Sequence, residues 1–115
     1  MKVKQVREVA AQDVQVEGAE GVRIQWLFGK DDTPENFYMR LFELAPGGYT
    51  PRHGHPWEHE VYILEGEGVV ASPAGDKPLM AQSVVHVPAG EEHQFRNTGQ
   101  APLKFLCLVP KTADY

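Results

Sequence analysis

The strongest constraint on this chain is its punctuation. Turn-forming residues cluster at Gly29–Asn36, Pro46–Gly48, Glu65–Gly68, Pro73–Pro78, Pro88–Gly90 and Asn97–Gly99, so a stop signal arrives about every ten residues. The runs between them are short: Val22–Leu27, Phe37–Leu44, Glu60–Leu64, Val69–Ser72, Val84–Val87, Glu92–Arg96 and Leu103–Val109. Val22–Leu27 sets Val22, Ile24 and Trp26 on one side against Arg23, Gln25 and Leu27 on the other, the alternation of a half-buried strand. No stretch sustains a 3.6-residue period. The pattern predicts an all-β domain, a small barrel or jelly-roll sandwich. Within it, Glu65–Gly68 is expected to turn a hairpin and Pro73–Pro78 to form a second turn. Leu103–Val109, apolar at both parities, is expected to be buried on both faces.

Composition narrows the class. The 115 residues, 42% of them apolar, suffice for one modest core and no second domain. Eleven Lys and Arg against sixteen Asp and Glu give a net charge of −5, the opposite of a nucleic-acid footprint. No apolar run approaches the roughly 20 residues of a membrane span. Met1-Lys2-Val3-Lys4-Gln5 is followed by no apolar signal segment. A single cysteine, Cys107, offers no internal disulfide. The expected compartment is the cytoplasm. Residues 1–20 carry valines without clear period and read as an arm, one able to exchange as a strand with a dimer partner; residues 21–115 read as the domain proper.

The chemistry lies in the histidines. Of five, His53, His55 and His59 fall within seven positions, in Arg52-His53-Gly54-His55-Pro56-Trp57-Glu58-His59-Glu60. Residues two apart in an extended segment point the same way, so His53 and His55 can aim two imidazoles at one point. Imidazole is a good ligand for Mn, Fe, Co, Ni, Cu and Zn. The same spacing also occurs in solvated loops, so the pattern alone leaves both readings open.

The flanking residues add a resemblance. Gly47-x5-His53-x-His55-x3-His59-x6-Gly66 resembles the first motif of the cupin family, and Pro88-x-Gly90-x2-His93-x3-Asn97 resembles the second. Two departures stand out. Where the second motif opens on Gly, six positions before the Pro, this chain has Gln82. Where the family commonly places a Glu ligand, the count gives His59, with Glu60 next door. A one-residue shift in a strand turns a side chain to the opposite face; a looser spacing would instead make Glu60 the ligand. The His-Pro-Trp-Glu-His-Glu run and the closing Phe105–Lys111 segment are similar to small single-domain manganese cupins with four-histidine sites. That resemblance implies His53, His55, His59 and His93 as ligands of one divalent transition metal per chain, manganese first, with Fe, Ni, Cu or Zn as chemical alternatives. It also implies that Arg40, Phe95, Phe105, Cys107 and Val109 face the metal. The aromatic and aliphatic members of that set are equally what an ordinary core would contain, and Arg40 equally a surface charge.

Four neutral imidazoles would leave a divalent ion its full charge, a stronger Lewis acid than one bound by three histidines and a carboxylate. No thiolate set suggests structural zinc. Cys107, between Leu106 and Leu108, reads as an inert small hydrophobe. His86 lies outside both motifs, and Trp57 is expected to pack the ligand loop. The resemblance points to a dioxygenase or oxidase acting on a small apolar or aromatic molecule. A non-redox metal-dependent isomerase or decarboxylase and a non-enzymatic metal- or ligand-binding module are the alternatives. The expected partners are a small-molecule substrate and a second copy in a homodimer, with no nucleic acid and no membrane.

Overall fold

The computed structural model describes residues 1–113. Nine strands run β1 (Ala11–Asp13), β2 (Glu20–Phe28), β3 (Phe37–Tyr49), β4 (His59–Glu65), β5 (Gly68–Ser72), β6 (Gly75–Leu79), β7 (Val84–Val87), β8 (Gln94–Asn97) and β9 (Leu103–Pro110), with two short 3-10 turns as the helical content of the described residues. The order across the curled sheet is β6-β5-β8-β3-β9-β4-β7, with β2 also on β3 and β1 on β2. The sheet closes into a half-barrel, the all-β single domain that the turn spacing predicts. Among the described residues no helix is long and apolar enough to cross a membrane.

The inner face is the core. Leu44, Ile63, Leu103, Phe105 and Val109 are its largest fully buried side chains. On β9 burial alternates strictly: Leu103, Phe105, Cys107 and Val109 point inward, and Leu106 and Leu108 are only half-buried. The expectation that β9 is covered on both faces therefore does not hold within one chain. β3 pairs with β2 and β9 along its length. It then runs through Pro46-Gly47-Gly48, where the sequence suggests a stop, to pair Tyr49 with Arg96 of β8. A bulge opposite Gly21 lets it change partners in this way.

Two turn expectations need correction. Glu65–Gly68 is no hairpin: β4 pairs with β7 and β9, whereas β5 pairs with β6 and β8. The segment carries the chain from one side of the barrel to the other. Its glycines serve close packing. A Cβ on Gly66 would strike the Pro102 carbonyl, and one on Gly68 the Arg96 carbonyl and the Leu103 side chain. Pro73–Pro78 is not a simple turn either. The turn is Ser72–Gly75, and Asp76-Lys77-Pro78 belongs to β6. A proline is tolerated there because β6 is an edge strand, pairing among the described residues only with β5.

The residues 1–20 arm lies along its own domain. β1 pairs antiparallel with β2, Ala11 opposite Gln25 and Asp13 opposite Arg23, and Val14 N–H donates to Val22 O at 2.9 Å. Asn97 is buried and closes the far end of β8. Its amide donates to Leu44 O and Ala101 O, each at 2.9 Å, and its oxygen accepts from Gly99 N–H at 2.9 Å.

Gln82, where the resembled motif has glycine, sits in the left-handed region at φ 73°. Its N–H donates to Ile63 O at 2.8 Å, so the turn is kept in spite of the substitution. A left-handed L-residue costs about 1–2 kcal/mol, partly offset by the extra unfolded-state entropy of glycine. Gln82→Gly should therefore raise unfolding stability by about 0.5–1 kcal/mol, and Gly68→Ala should lower it by about 2–3 kcal/mol through overpacking against β8 and Leu103. Denaturant midpoints at constant slope measure both; a Gly68→Ala chain as stable as the parent would refute the close-packing account.

Candidate metal centre

The two motif segments meet through their backbones. His53 and His93 form an antiparallel bridge, His53 N–H to His93 O at 3.2 Å and His93 N–H to His53 O at 3.1 Å. Gly90 N–H donates to His55 O at 2.5 Å. Thr50 N–H donates to Phe95 O and Thr50 Oγ1 accepts from Phe95 N–H, both at 2.9 Å. A Cβ on Gly54 would lie 3.0 Å from Gly90 O, so a side chain there would force the two loops to give by a few tenths of an ångström. The imidazoles are thus carried on a pinned loop, on the bridge beside β8, and at the first residue of β4.

Their rings converge. One ring nitrogen from each of His55, His59 and His93 lies within 4.8 Å of the others. His53 stands at the edge of this group, its Nε2 2.8 Å from Nε2 of His55. His93 Nδ1–H donates to Glu91 O at 2.9 Å; a carbonyl only accepts, which fixes the hydrogen on Nδ1 and leaves the Nε2 lone pair for the cluster. His59 turns Nδ1 towards Arg40 and Cys107. Trp57 stacks on His55, ring centroids 4.7 Å apart and planes 4° from parallel, the packing role expected of it.

Burial favours the neutral form of His53, His55 and His59. Burial, reinforced by the Arg40 guanidinium, pushes His59 down to about 3. Burial and the neighbouring histidines bring His55 to about 4. His53 is lowered too, by burial first and His93 second. Near neutral pH these imidazoles carry lone pairs, the form a metal needs. Metal–nitrogen bonds of about 2.1 Å at right angles put neighbouring donors about 3 Å apart, close to the His53–His55 spacing. The donor set fits a divalent transition ion.

Glu60 is exposed on the opposite face of β4 from the buried His59, in register with His86. His86 is exposed and pairs with Glu58 at 2.9 Å. Both lie apart from the cluster.

The cluster opens into a cavity of about 640 Å³ whose wall includes Trp26, Arg40, Phe42, Phe95, Phe105 and Cys107. Of the pocket residues expected from the resemblance, Arg40, Phe95, Phe105 and Cys107 are there. Val109 is not. It is buried in the core opposite Tyr38 and borders a smaller cleft beside Asn36 and Phe37, because two residues along a strand carry it roughly 7 Å beyond Cys107. Trp26 and Phe42 escaped the sequence reading, although Trp26 is the cross-strand partner of Arg40 and must share its face. Residues 12–17 of the arm also line the cavity, and no motif marks them.

Comparison with known proteins places this geometry. A cupin domain model matches residues 40–109. The chain belongs to the cupin family. Its cupin relatives differ widely in what their names say they do. An oxalate-binding protein of Thermotoga maritima is 40% identical over 74 residues, 61% of either chain. A gentisate 1,2-dioxygenase of Ralstonia sp is 29% identical over 73 residues, 63% of this chain and 21% of that one. The solved structure of the polyketide cyclase RemF from Streptomyces resistomycificus superposes with a TM-score of 0.90 at 31% identity, covering 96% of this cupin and 80% of RemF. The matches span less than two thirds of the length of these curated relatives.

If this cupin's cluster holds a metal, His59→Ala should abolish most stoichiometric binding and Glu60→Gln should leave it intact. Metal content after equilibrium dialysis reads both. The reverse ranking would make Glu60 the ligand and contradict the orientation of β4.

Proposed function

We propose that this cupin is a metal-dependent oxygenase or oxidase of a small, largely apolar organic molecule, with one divalent transition metal, manganese in the first instance, held by His53, His55, His59 and His93. The observation that carries the reading is the cluster of imidazoles opening directly onto an aromatic-walled cavity. When bound, an open-coordinate divalent metal supplies Lewis acidity and the means to activate dioxygen or a peroxide.

The chain's own residues do the rest. Phe105 stacks on Phe42 at 5.3 Å between centroids and tilts against Phe95 at 4.7 Å, giving a flat apolar surface that orients an unsaturated or aromatic substrate and excludes water. The arm, through Val14 and Val16, walls the same space. The acidic side chains of the cavity wall are Asp13 and Glu17, both on that arm, so among the described residues no carboxylate stands among the histidines as a general base. Burial pushes the Cys107 thiol up, away from the thiolate a nucleophile would need.

A second reading is non-redox catalysis on, or binding of, a small acid. It is favoured by the Arg40 guanidinium on the cavity wall and by the oxalate-binding relative. Oxygen consumption separates the two. Protein loaded with Mn(II) or Fe(II) should take up oxygen or consume peroxide with an apolar alkene or arene and not after chelation. Phe105→Ala should shift preference to bulkier substrates, changing kcat/KM by about tenfold or more between a small and a large substrate, with metal content unchanged. Turnover without oxygen or peroxide consumption would overturn the first reading in favour of the second.

We propose further that two copies pair through the outer face of β7-β4-β9-β3, where Val84, Tyr62, Leu106 and Leu41 follow one another in a cross-strand row. Val84 is 73% and Tyr62 42% exposed in the single chain, an apolar strip of the kind that marks an interface.

A further inference from the structure

We infer that the sulfur of Cys107 sets the tautomer of His59 and so makes that histidine's Nε2 available to a metal. The inference rests on the metal-centre reading and adds a positioning residue to it. A neutral imidazole carries one hydrogen. For Nε2 to bind a cation, the hydrogen must sit on Nδ1, and Nδ1–H then needs an acceptor. At His93 the carbonyl of Glu91 fills that role. At His59 the surroundings work against it. Nδ1 lies 3.5 Å from Arg40 Nη2, and a guanidinium has donors only. Left to itself, that contact favours a bare Nδ1 accepting from Arg40, with the hydrogen on Nε2, the form that cannot ligate.

Cys107 removes the conflict. Its Sγ lies 3.0 Å from Arg40 Nη2 and 3.5 Å from His59 Nδ1. Arg40 therefore has a nearer acceptor than the imidazole, and the same sulfur, with a second lone pair, can accept Nδ1–H. The three groups are held in this relation by the sheet. Arg40 and Cys107 are cross-strand partners on β3 and β9, and Cys107 faces Val61, two residues along β4 from His59. Arg40 is fixed from behind by the rings of Phe42 and Trp26, 5.0 and 5.6 Å from its Cζ. All three side chains are buried, so water is a poor substitute acceptor.

The test has a spectroscopic arm and a binding arm. In metal-free protein near neutral pH, 15N NMR of the His59 ring should show hydrogen on Nδ1 in the wild type and on Nε2 in Cys107→Ala. Mn(II) affinity, read from the EPR signal of the free ion, should fall about 10- to 100-fold in Cys107→Ala and stay near the wild-type value in Cys107→Ser, which keeps an acceptor. Arg40→Met in the Cys107→Ala background removes the competing donor and should recover affinity. A wild-type His59 with hydrogen on Nε2 overturns the inference even if a variant fails to fold. So do equal affinities in all variants, an equal loss in Ser and Ala, or no recovery in the double variant. A wild type that binds no Mn(II) but carries hydrogen on Nδ1 refutes the metal-centre reading and leaves the tautomer assignment standing.

Discussion

Everything at the site depends on one short backbone bridge. The paired hydrogen bonds between His53 and His93 join a loop with no ladder of its own to the start of β8. They place two imidazoles side by side, and with the Gly90–His55 bond they bring a third towards β4, where His59 already points inward. Without the bridge the Arg52–Glu58 loop would be tied to the second motif only by the Gly90–His55 bond and the exposed Arg52–Glu92 pair. The glycines at 54 and 90 belong to the same device: a Cβ at 54 would crowd the Gly90 carbonyl, and Gly90 holds a left-handed φ of 83°. Neutral, half-buried imidazoles are the chemical result.

Much of this was legible because turns and ligands are local signals. The spacing of Pro and Gly marks most of the strands, parity puts His53 and His55 on one side, and the resemblance to the cupin motifs adds His59 and His93. The count against the resembled motif points to position 59, alternation then requires 59 and 60 to face opposite ways, and in β4 it is His59 that is buried and Glu60 that is exposed. Gln82 shows what a motif encodes: the backbone keeps the left-handed turn without the glycine. Asn97, which ends the second motif, is a structural hub whose amide satisfies two carbonyls.

What the sequence hid was pairing. Glu65–Gly68 resembles a hairpin by composition, but hairpin and crossover share Gly and differ only in which strands lie alongside. Pro78 hid β6 because a proline reads as a stop unless the strand is known to be at an edge. The wall of the cavity was hidden in the same way. Trp26 and Phe42 are core-like residues on strands that the motifs do not touch, and the arm enters the cavity through tertiary packing that no local pattern specifies. Val109 shares parity with Cys107 but lies too far along β9, a matter of distance that parity does not carry.

The site that emerges is charge-poor in carboxylate and rich in second contacts: a carbonyl behind His93, a sulfur and a guanidinium behind His59, an indole against His55. The names of its cupin relatives range from an oxalate-binding protein to a gentisate 1,2-dioxygenase. The central claim is that a metal here is bound by imidazole alone. X-ray absorption at the Mn edge of the loaded protein tests it most directly. The account predicts a first shell with four imidazole nitrogens, marked by their ring multiple scattering, and the loss of one in His53→Ala. Three imidazoles with a carboxylate oxygen in the wild type, unchanged in His53→Ala, would contradict it.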